Sequence, residues 1–369
     1  MDASVAKSRA AAAPGLLNVR RLPSAGLVHI ALHKYKSGTY TPLDNALNGF
    51  WFACAERLPL WMAPNMVTLI GLLFNVFAYV LVVRHQGGGL MEGALPPWVN
   101  VACAVCLFLY QTLDAMDGKH ARRTGNSSPL GQLFDHGCDA LSAPLMTLTL
   151  VSSLQMGPSY LSLFCVLAAQ VPFFQAQWAE SITGALQHSM GGVFGVTETQ
   201  LTFCAVHLVA ACVPAEFWAH ELTHFAVIGV PSVPANIAVC YGMMVPGACM
   251  MVLWQMWETF GMASMRSYMQ VVGALCPVLA ASALTITDAG TKAALEAHPQ
   301  AFLLAVSVCM AFLCTQMVVC NMACEDMSPL QPTALAVLAM AVAPSSMGAE
   351  IMAGLPAQVV RYRAARWVR

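Results

Sequence analysis

Residues 301–323 read AFLLAVSVCMAFLCTQMVVCNMA, a stretch with no charged side chain that is long enough, as a helix, to cross a bilayer. A lipid core about 30 Å thick asks for ~20 apolar residues in a helix, whose backbone groups are then all satisfied within the segment. The chain repeats this device. Apolar runs cover 66–84, 97–116, 138–156, 160–178, 201–217, 236–256, 268–287, 301–323 and 332–353. Only 9% of the residues are charged and the mean hydropathy is +0.64, against roughly 25% charged in a soluble domain. The pattern predicts an all-α fold: a polytopic integral membrane helical bundle of about ten transmembrane helices. Residues 43–62 set Trp51, Phe52 and Trp61 among polar positions, which predicts an amphipathic helix lying at the interface.

The basic residues orient this bundle. Lys7, Arg9, Arg20, Arg21, Lys34 and Lys36 precede the first run, and Lys119, Arg122 and Arg123 follow the second. Arg361, Arg363, Arg366 and Arg369 close the chain. All should face the cytosol, as should the 179–200 loop. Two cytosolic ends require an even number of spans, and nine runs are counted, so 332–353 either fails to cross simply or divides at Pro344. Three segments are expected: 1–42, cytosolic and partly disordered; 43–360, the membrane domain; and 361–369, a basic cytosolic tail. A net charge of −1 argues against nucleic acid as a partner. Cys103 and Cys106 form one C-x-x-C inside an apolar run, with no second pair at zinc spacing; they read as small packing residues.

Charge is scarce except in one place. Of eight aspartates, four fall within DAMDGKHARRTGNSSPLGQLFDHGCD, residues 114–139. Asp114 and Asp117 are spaced i,i+3 at the end of the second run. Asp135 and Asp139 are spaced i,i+4 at the start of the third. Each spacing puts both carboxylates on one helix face. Ser128 as N-cap and Pro129 at the first helical position should restart a helix after the turn. The two helices then run antiparallel and their acidic faces meet. Unpaired charge at a membrane boundary is costly, and divalent cations relieve it. Oxygen-only ligands suit Mg²⁺ or Mn²⁺. Four of them predict two ions, an arrangement that serves in-line phosphoryl displacement. Gly118 and Gly131 leave room for a close ligand, and Arg122 offers a planar donor fork to phosphate.

The spacing D-x2-D-G-x2-A-R-x8-G-x3-D-x3-D, carried by Asp114, Asp117, Gly118, Ala121, Arg122, Gly131, Asp135 and Asp139, resembles the signature of the CDP-alcohol phosphotransferases. The words RRTGNSSPLGQLFDHGCDAL, LPLWMAPNMVTLIGL at 58–72 and GVTETQ at 195–200 resemble its eukaryotic choline/ethanolamine phosphotransferase branch. The likeness covers about residues 30–200 and, beyond that, hydropathy alone. QWAESITG at 177–184 departs from the branch, with Ala179, Ser181 and Ile182 where an acid, an aromatic and a polar residue are expected. The resemblance implies transfer of phosphocholine or phosphoethanolamine from CDP-choline or CDP-ethanolamine to diacylglycerol or an alkyl-acylglycerol, with release of CMP, the last step of phospholipid synthesis. An inositol-using synthase of the same family is the alternative. It also implies metal ligation by Asp114, Asp117, Asp135 and Asp139, and contact of Asn65, Gly118, Ala121, Arg122 and Gly131 with the CDP moiety. It further implies a homodimer in the endoplasmic reticulum or Golgi membrane, with the site facing the cytosol.

His136 titrates near neutrality when unperturbed, which suits a general base. Asp139 is the competing candidate. Glu180 and Glu198, in the 179–200 segment, are candidate contacts for the head-group amine. A reading of another class comes from HELTH at 220–224, which matches H-E-x-x-H of zinc metalloproteases through His220, Glu221 and His224.

Overall fold

The computed structural model describes residues 22–342 apart from 90, 92, 188 and 223–231. Its helices are α1 (Ser24–Leu32), α2 (Pro42–Arg57), α3 (Pro64–His85), α4 (Pro97–Thr124), α5 (Pro129–Ser153), α6 (Tyr160–Thr183), α7 (Val196–Cys212), α8 (Ala235–Thr259), α9 (Met265–Thr287), α10 (Ala289–Ala297), α11 (Pro299–Met322) and α12 (Pro332–Val342). Proline stands in the first turn of α2, α3, α4, α5 and α11, where its missing N–H costs nothing and its φ is preset. Departures from an all-α fold are two antiparallel pairs of two-residue strands, β1 (Ser189–Met190) with β2 (Phe194–Gly195) and β3 (Glu221–Leu222) with β4 (Val233–Pro234).

Each apolar run overlaps a helix, and the segment 43–62 holds α2, which stops at Arg57. Six helices, α3, α4, α6, α8, α9 and α11, are long and apolar enough to cross a membrane, so the chain is an integral membrane protein. That count falls short of about ten, for three local reasons. Helix α5 is 25 residues long but carries two acids and a run of Ser and Thr. Helix α7 is apolar but only 17 residues long. Helix α12 ends at Val342, and the rest of 332–353 lies outside the described residues. So do the basic residues at 7–21 and 361–369. Helix α1 falls within the segment expected to be partly disordered, and α10 was not anticipated.

Helix α5 sits at the centre, packed on α3, α6, α7 and α11. Ala140, Ser142, Ala143, Ser152 and Ser153 are buried along it. Small side chains let membrane helices approach closely, where packing rather than water exclusion holds them together. Around them close Leu148, Leu150, Leu163, Phe174, Trp178, Phe203, Phe302 and Leu313, all almost fully buried. The same close approach joins α3 to α4: a Cβ on Gly71 would lie 3.4 Å from the Tyr110 ring and 3.5 Å from Leu113 Cβ. Ahead of α2, the extended segment 36–39 is strapped to the end of α6. Gly38 N–H donates to Leu186 O at 2.7 Å, Leu186 N–H to Lys36 O at 3.0 Å, and the Ser189 hydroxyl to Thr39 O at 2.7 Å.

Candidate active site

Helix α4 ends on Gly125, whose φ of 70° places it in the left-handed region, a conformation that glycine adopts without a Cβ penalty. Three residues later Ser128 accepts the Gly131 N–H at 3.1 Å and α5 begins at Pro129. This tight reversal sets the last turns of α4 beside the first turns of α5, as the capping residues lead one to expect. It brings Asp114, Asp135 and Asp139 together: one oxygen of each lies within 4.8 Å of the others. Asp117 is buried next to this trio, beside Asp135, and accepts a hydrogen bond from the Thr68 hydroxyl of α3. Tyr110, one turn before Asp114, donates to Asp139 Oδ1 at 2.8 Å.

The cations of the same segment do not neutralise these acids. Arg123 Nη1 donates to Ala55 O at 3.0 Å and Leu58 O at 2.7 Å. Lys119 Nζ sits 5.2 Å over both the Trp51 and Phe52 rings, a cation–π placement. Both basic side chains thus fasten α2 to α4. Among the described residues no Lys or Arg forms an ion pair with the four aspartates; the ion pairs are Arg266–Asp326 and Lys292–Glu296. Asp135 Oδ1 is buried and accepts no hydrogen bond. Clustered carboxylates with an unsatisfied buried oxygen and no ion-paired Lys or Arg among the described residues are the donor set of a hard divalent ion.

The other sequence-derived residues sort themselves around this cluster. A Cβ on Gly131 would lie 3.6 Å from Asn65 Oδ1, so Asn65 of α3 faces the first turn of α5. A Cβ on Gly118 would meet Arg122 Nη1 at 3.6 Å. Arg122 is exposed and Ala121 half-buried beside it. His136 is 3% exposed, and the Tyr35 ring packs edge-on against it at 5.7 Å between centroids. Tyr35 arrives on the strap, within electrostatic reach of Asp135, Asp139 and Glu180. Burial, then those carboxylates, push its phenol well above the ordinary tyrosine range, so it stays protonated.

Glu180 belongs to the buried last turn of α6 and not to a loop, because that helix runs on to Thr183. Gln132 Nε2 of α5 reaches its Oε1 at 3.5 Å. Glu198, by contrast, is taken up locally. Its Oε2 accepts the Gly195 N–H at 2.9 Å, capping α7. The H-E-x-x-H reading fails on geometry. It needs two histidines one turn apart on a helix, but His220 and Glu221 have extended backbone and Glu221 pairs with Pro234 in a strand. His224 lies outside the described residues.

Residues that sequence reasoning missed are Tyr35, Thr68, Tyr110 and Gln132. Two carried a local signal: Tyr110 precedes Asp114 by four residues and Gln132 precedes Asp135 by three, so each shares an acid's helix face. Thr68 and Tyr35 come from elements distant in sequence and had none.

Residues 61–230 match the family profile described as CDP-alcohol phosphatidyltransferase. A Dictyostelium discoideum protein, "Uncharacterized CDP-alcohol phosphatidyltransferase class-I family protein 2", is 30% identical over 299 residues, covering 79% of this chain and 69% of that one. The chain belongs to the CDP-alcohol phosphatidyltransferase family. The eukaryotic branch of the family is marked by two further likenesses. "Cholinephosphotransferase 1" of Xenopus laevis is 36% identical over 212 residues, covering 57% of this chain and 51% of that one. "Choline/ethanolaminephosphotransferase 2" of Arabidopsis thaliana is 41% identical over 196 residues, covering 53% and 49%. The chain spans about half the length of these two relatives. The profile match contains the whole α4–α5 reversal and with it the acidic cluster.

Proposed function

We propose that this chain transfers phosphocholine or phosphoethanolamine from the corresponding CDP-alcohol to the hydroxyl of diacylglycerol or an alkyl-acylglycerol, releasing CMP. The observation that carries the reading is the aspartate cluster at the α4–α5 reversal, which keeps an unsatisfied carboxylate oxygen while Lys119 and Arg123 are engaged elsewhere. Asp114, Asp117, Asp135 and Asp139 would hold two Mg²⁺ or Mn²⁺ ions, which supply charge neutralisation at the diphosphate and at the leaving CMP.

The protein's own groups do the rest. Asn65 and Gly131 form one wall for the nucleotide, and Gly118 and Ala121 the other. Arg122, exposed at the rim, is the fork that meets phosphate. His136 takes the proton of the acceptor hydroxyl on an imidazole nitrogen as that oxygen attacks phosphorus. Tyr35 holds the imidazole plane from the opposite side. Asp139 is the weaker candidate for this role, since the Tyr110 hydroxyl already occupies one of its oxygens. Glu180 faces the head-group amine; Glu198, spent on a helix cap, does not.

The same reading extends to the membrane. The α4–α5 reversal faces the cytosol, where a soluble CDP-alcohol arrives, and α5 and α7 also cross, which brings the six long apolar helices to eight spans. Helix α2 lies at the interface. Leu69, Leu73, Val76, Phe77 and Val80 of α3 present an exposed apolar stripe that lipid or the second subunit of a homodimer would cover. The membrane is that of the endoplasmic reticulum or Golgi. Purified protein given diacylglycerol with CDP-choline or CDP-ethanolamine should release CMP and form the matching phospholipid. No release with either donor would overturn the reading. For orientation, Ser127→Cys should label with an impermeant maleimide only from the cytosolic face of sealed vesicles; lumenal labelling would reverse it.

A further inference from the structure

A carboxylate 4% exposed is an expensive thing to place in a helical bundle unless something meets it. Glu180 is such a group, and its surroundings are acceptor-rich. Glu180 Oε2 and Gln132 Oε1 are buried without a well-formed hydrogen bond; the Asn321 side chain stands beside the first and His33 beside the second. Gln177 lies three residues before Glu180, on the same face of α6, and is 0% exposed with neither its amide oxygen nor its amide nitrogen hydrogen-bonded. Around one carboxylate, three buried acceptor oxygens and one amide N–H thus lack a well-formed hydrogen bond, with only Asn321 and His33 alongside as donors from outside the group. Such groups are rare in a folded chain and costly when left unpaired.

The position of these atoms says what meets them. Gln132 is one turn before Asp135 on α5, and Tyr35 lies within electrostatic reach of Asp135, Asp139 and Glu180 at once. The acceptors thus flank the aspartate cluster, on the side of His136. In a CDP-alcohol the head-group amine is two carbons beyond the transferred phosphate, so a phosphate at the aspartates sets the amine beside this group. The two amines of the family differ in one chemical respect. A primary ammonium carries three N–H donors. A quaternary trimethylammonium carries none, and proteins hold it against the faces of several aromatic rings. Two of the rings on this side of the cluster are already engaged. The Tyr35 ring is edge-on to His136. Trp178 is 1% exposed, with its indole N–H given to Ser267 at 3.0 Å and its ring packed on Tyr268 at 5.4 Å.

We infer that Glu180, Gln132 and Gln177 form a primary-ammonium pocket, so that this chain selects the ethanolamine donor over the choline donor. The inference rests on the transferase reading for its location and goes beyond it in choosing the head group. Trimethylation would leave every acceptor of the pocket buried and unmet, and a site built to pair with a substrate's N–H rejects an analogue that lacks it.

The test compares CDP-ethanolamine with CDP-choline on the full-length purified protein, by direct binding and by CMP release. Binding of CDP-ethanolamine should be at least tenfold tighter, and kcat/KM should follow. Glu180→Gln, which keeps the shape and removes the charge, should weaken CDP-ethanolamine binding about tenfold or more while changing CDP-choline less than about threefold. CDP binding, which has no head group, should be unchanged and reports that the variant is folded. Equal or tighter binding of CDP-choline by the wild type overturns the pocket, as does an equal loss for both donors in Glu180→Gln. These outcomes are read from binding, so they stand apart from a failure of transfer itself, which is the absence of CMP with either donor.

Discussion

Helices α4 and α5 carry buried polar groups at both of their ends, and the two ends treat them in opposite ways. At the end away from the reversal, the Ser153 hydroxyl lies 2.8 Å from Asn100 Oδ1 and 2.8 Å from His207 Nδ1, and Asn100 Nδ2 donates to Ala210 O at 3.2 Å. These uncharged groups mostly satisfy one another and tie α4, α5 and α7 together. At the reversal, four acids face one another without a basic partner, and a carboxylate oxygen is left over. Both clusters are polar and enclosed. The first leaves over a single imidazole nitrogen, His207 Nε2, and the second a carboxylate oxygen among four acids. Polar groups that close on themselves hold a membrane bundle in register; groups that do not are placed for something that arrives later.

The largest effect that sharpens this contrast concerns the acids. Asp135→Asn should lower CMP release by three orders of magnitude or more, since metal-assisted charge stabilisation supplies much of the rate in phosphoryl transfer. Chelation by EDTA should do the same to the wild type, reversed by Mg²⁺ or Mn²⁺. The fold should survive, because the substitution removes like-charge repulsion. Added Mn²⁺ should raise the melting temperature of the wild type and not that of the variant. A wild-type melting temperature indifferent to metal would break the comparison from this side.

Next in size is the base. His136→Gln keeps the bulk and hydrogen bonding of the side chain but not its basicity, and should reduce kcat by about 10²–10⁴-fold. KM for the CDP-alcohol should stay within about threefold, since His136 meets the acceptor and not the nucleotide. A near-normal kcat would move the proton to Asp139 and leave His136 as a packing partner of Tyr35.

The smallest effect belongs to the other end. Ser153→Ala removes the hydroxyl that joins Asn100 to His207 and should cost about 1–3 kcal/mol of stability, the range for orphaning buried polar groups. It should be seen as a lower melting temperature with kcat per folded molecule unchanged. A loss of turnover without a loss of stability would mean that the closed network also serves catalysis.

The amino-acid sequence by itself determined where the long apolar helices stand, the reversal between α4 and α5, and the family. Hydropathy is summed along the chain, so lipid selects the apolar runs wherever they stand. Ser128, Pro129 and Gly125 act within one turn, and the spacing of Asp114, Asp117, Asp135 and Asp139 follows from helix periodicity. What only the tertiary structure decided is who stands opposite whom. Thr68 reaches Asp117 because Gly71 lets α3 close on α4. Lys119 and Arg123 turn to α2 and leave the acids unpaired. The two glutamates of the 179–200 segment looked equivalent as letters, but an extra turn of α6 buries Glu180 beside Gln132, while Glu198 caps its own helix. His220 and Glu221 match a helical motif, and yet His220 has extended backbone and Glu221 stands in a strand pair. Local spacing says which residues share a face; the crossing of helices far apart in sequence sets what that face meets, and no short-range pattern carries that information.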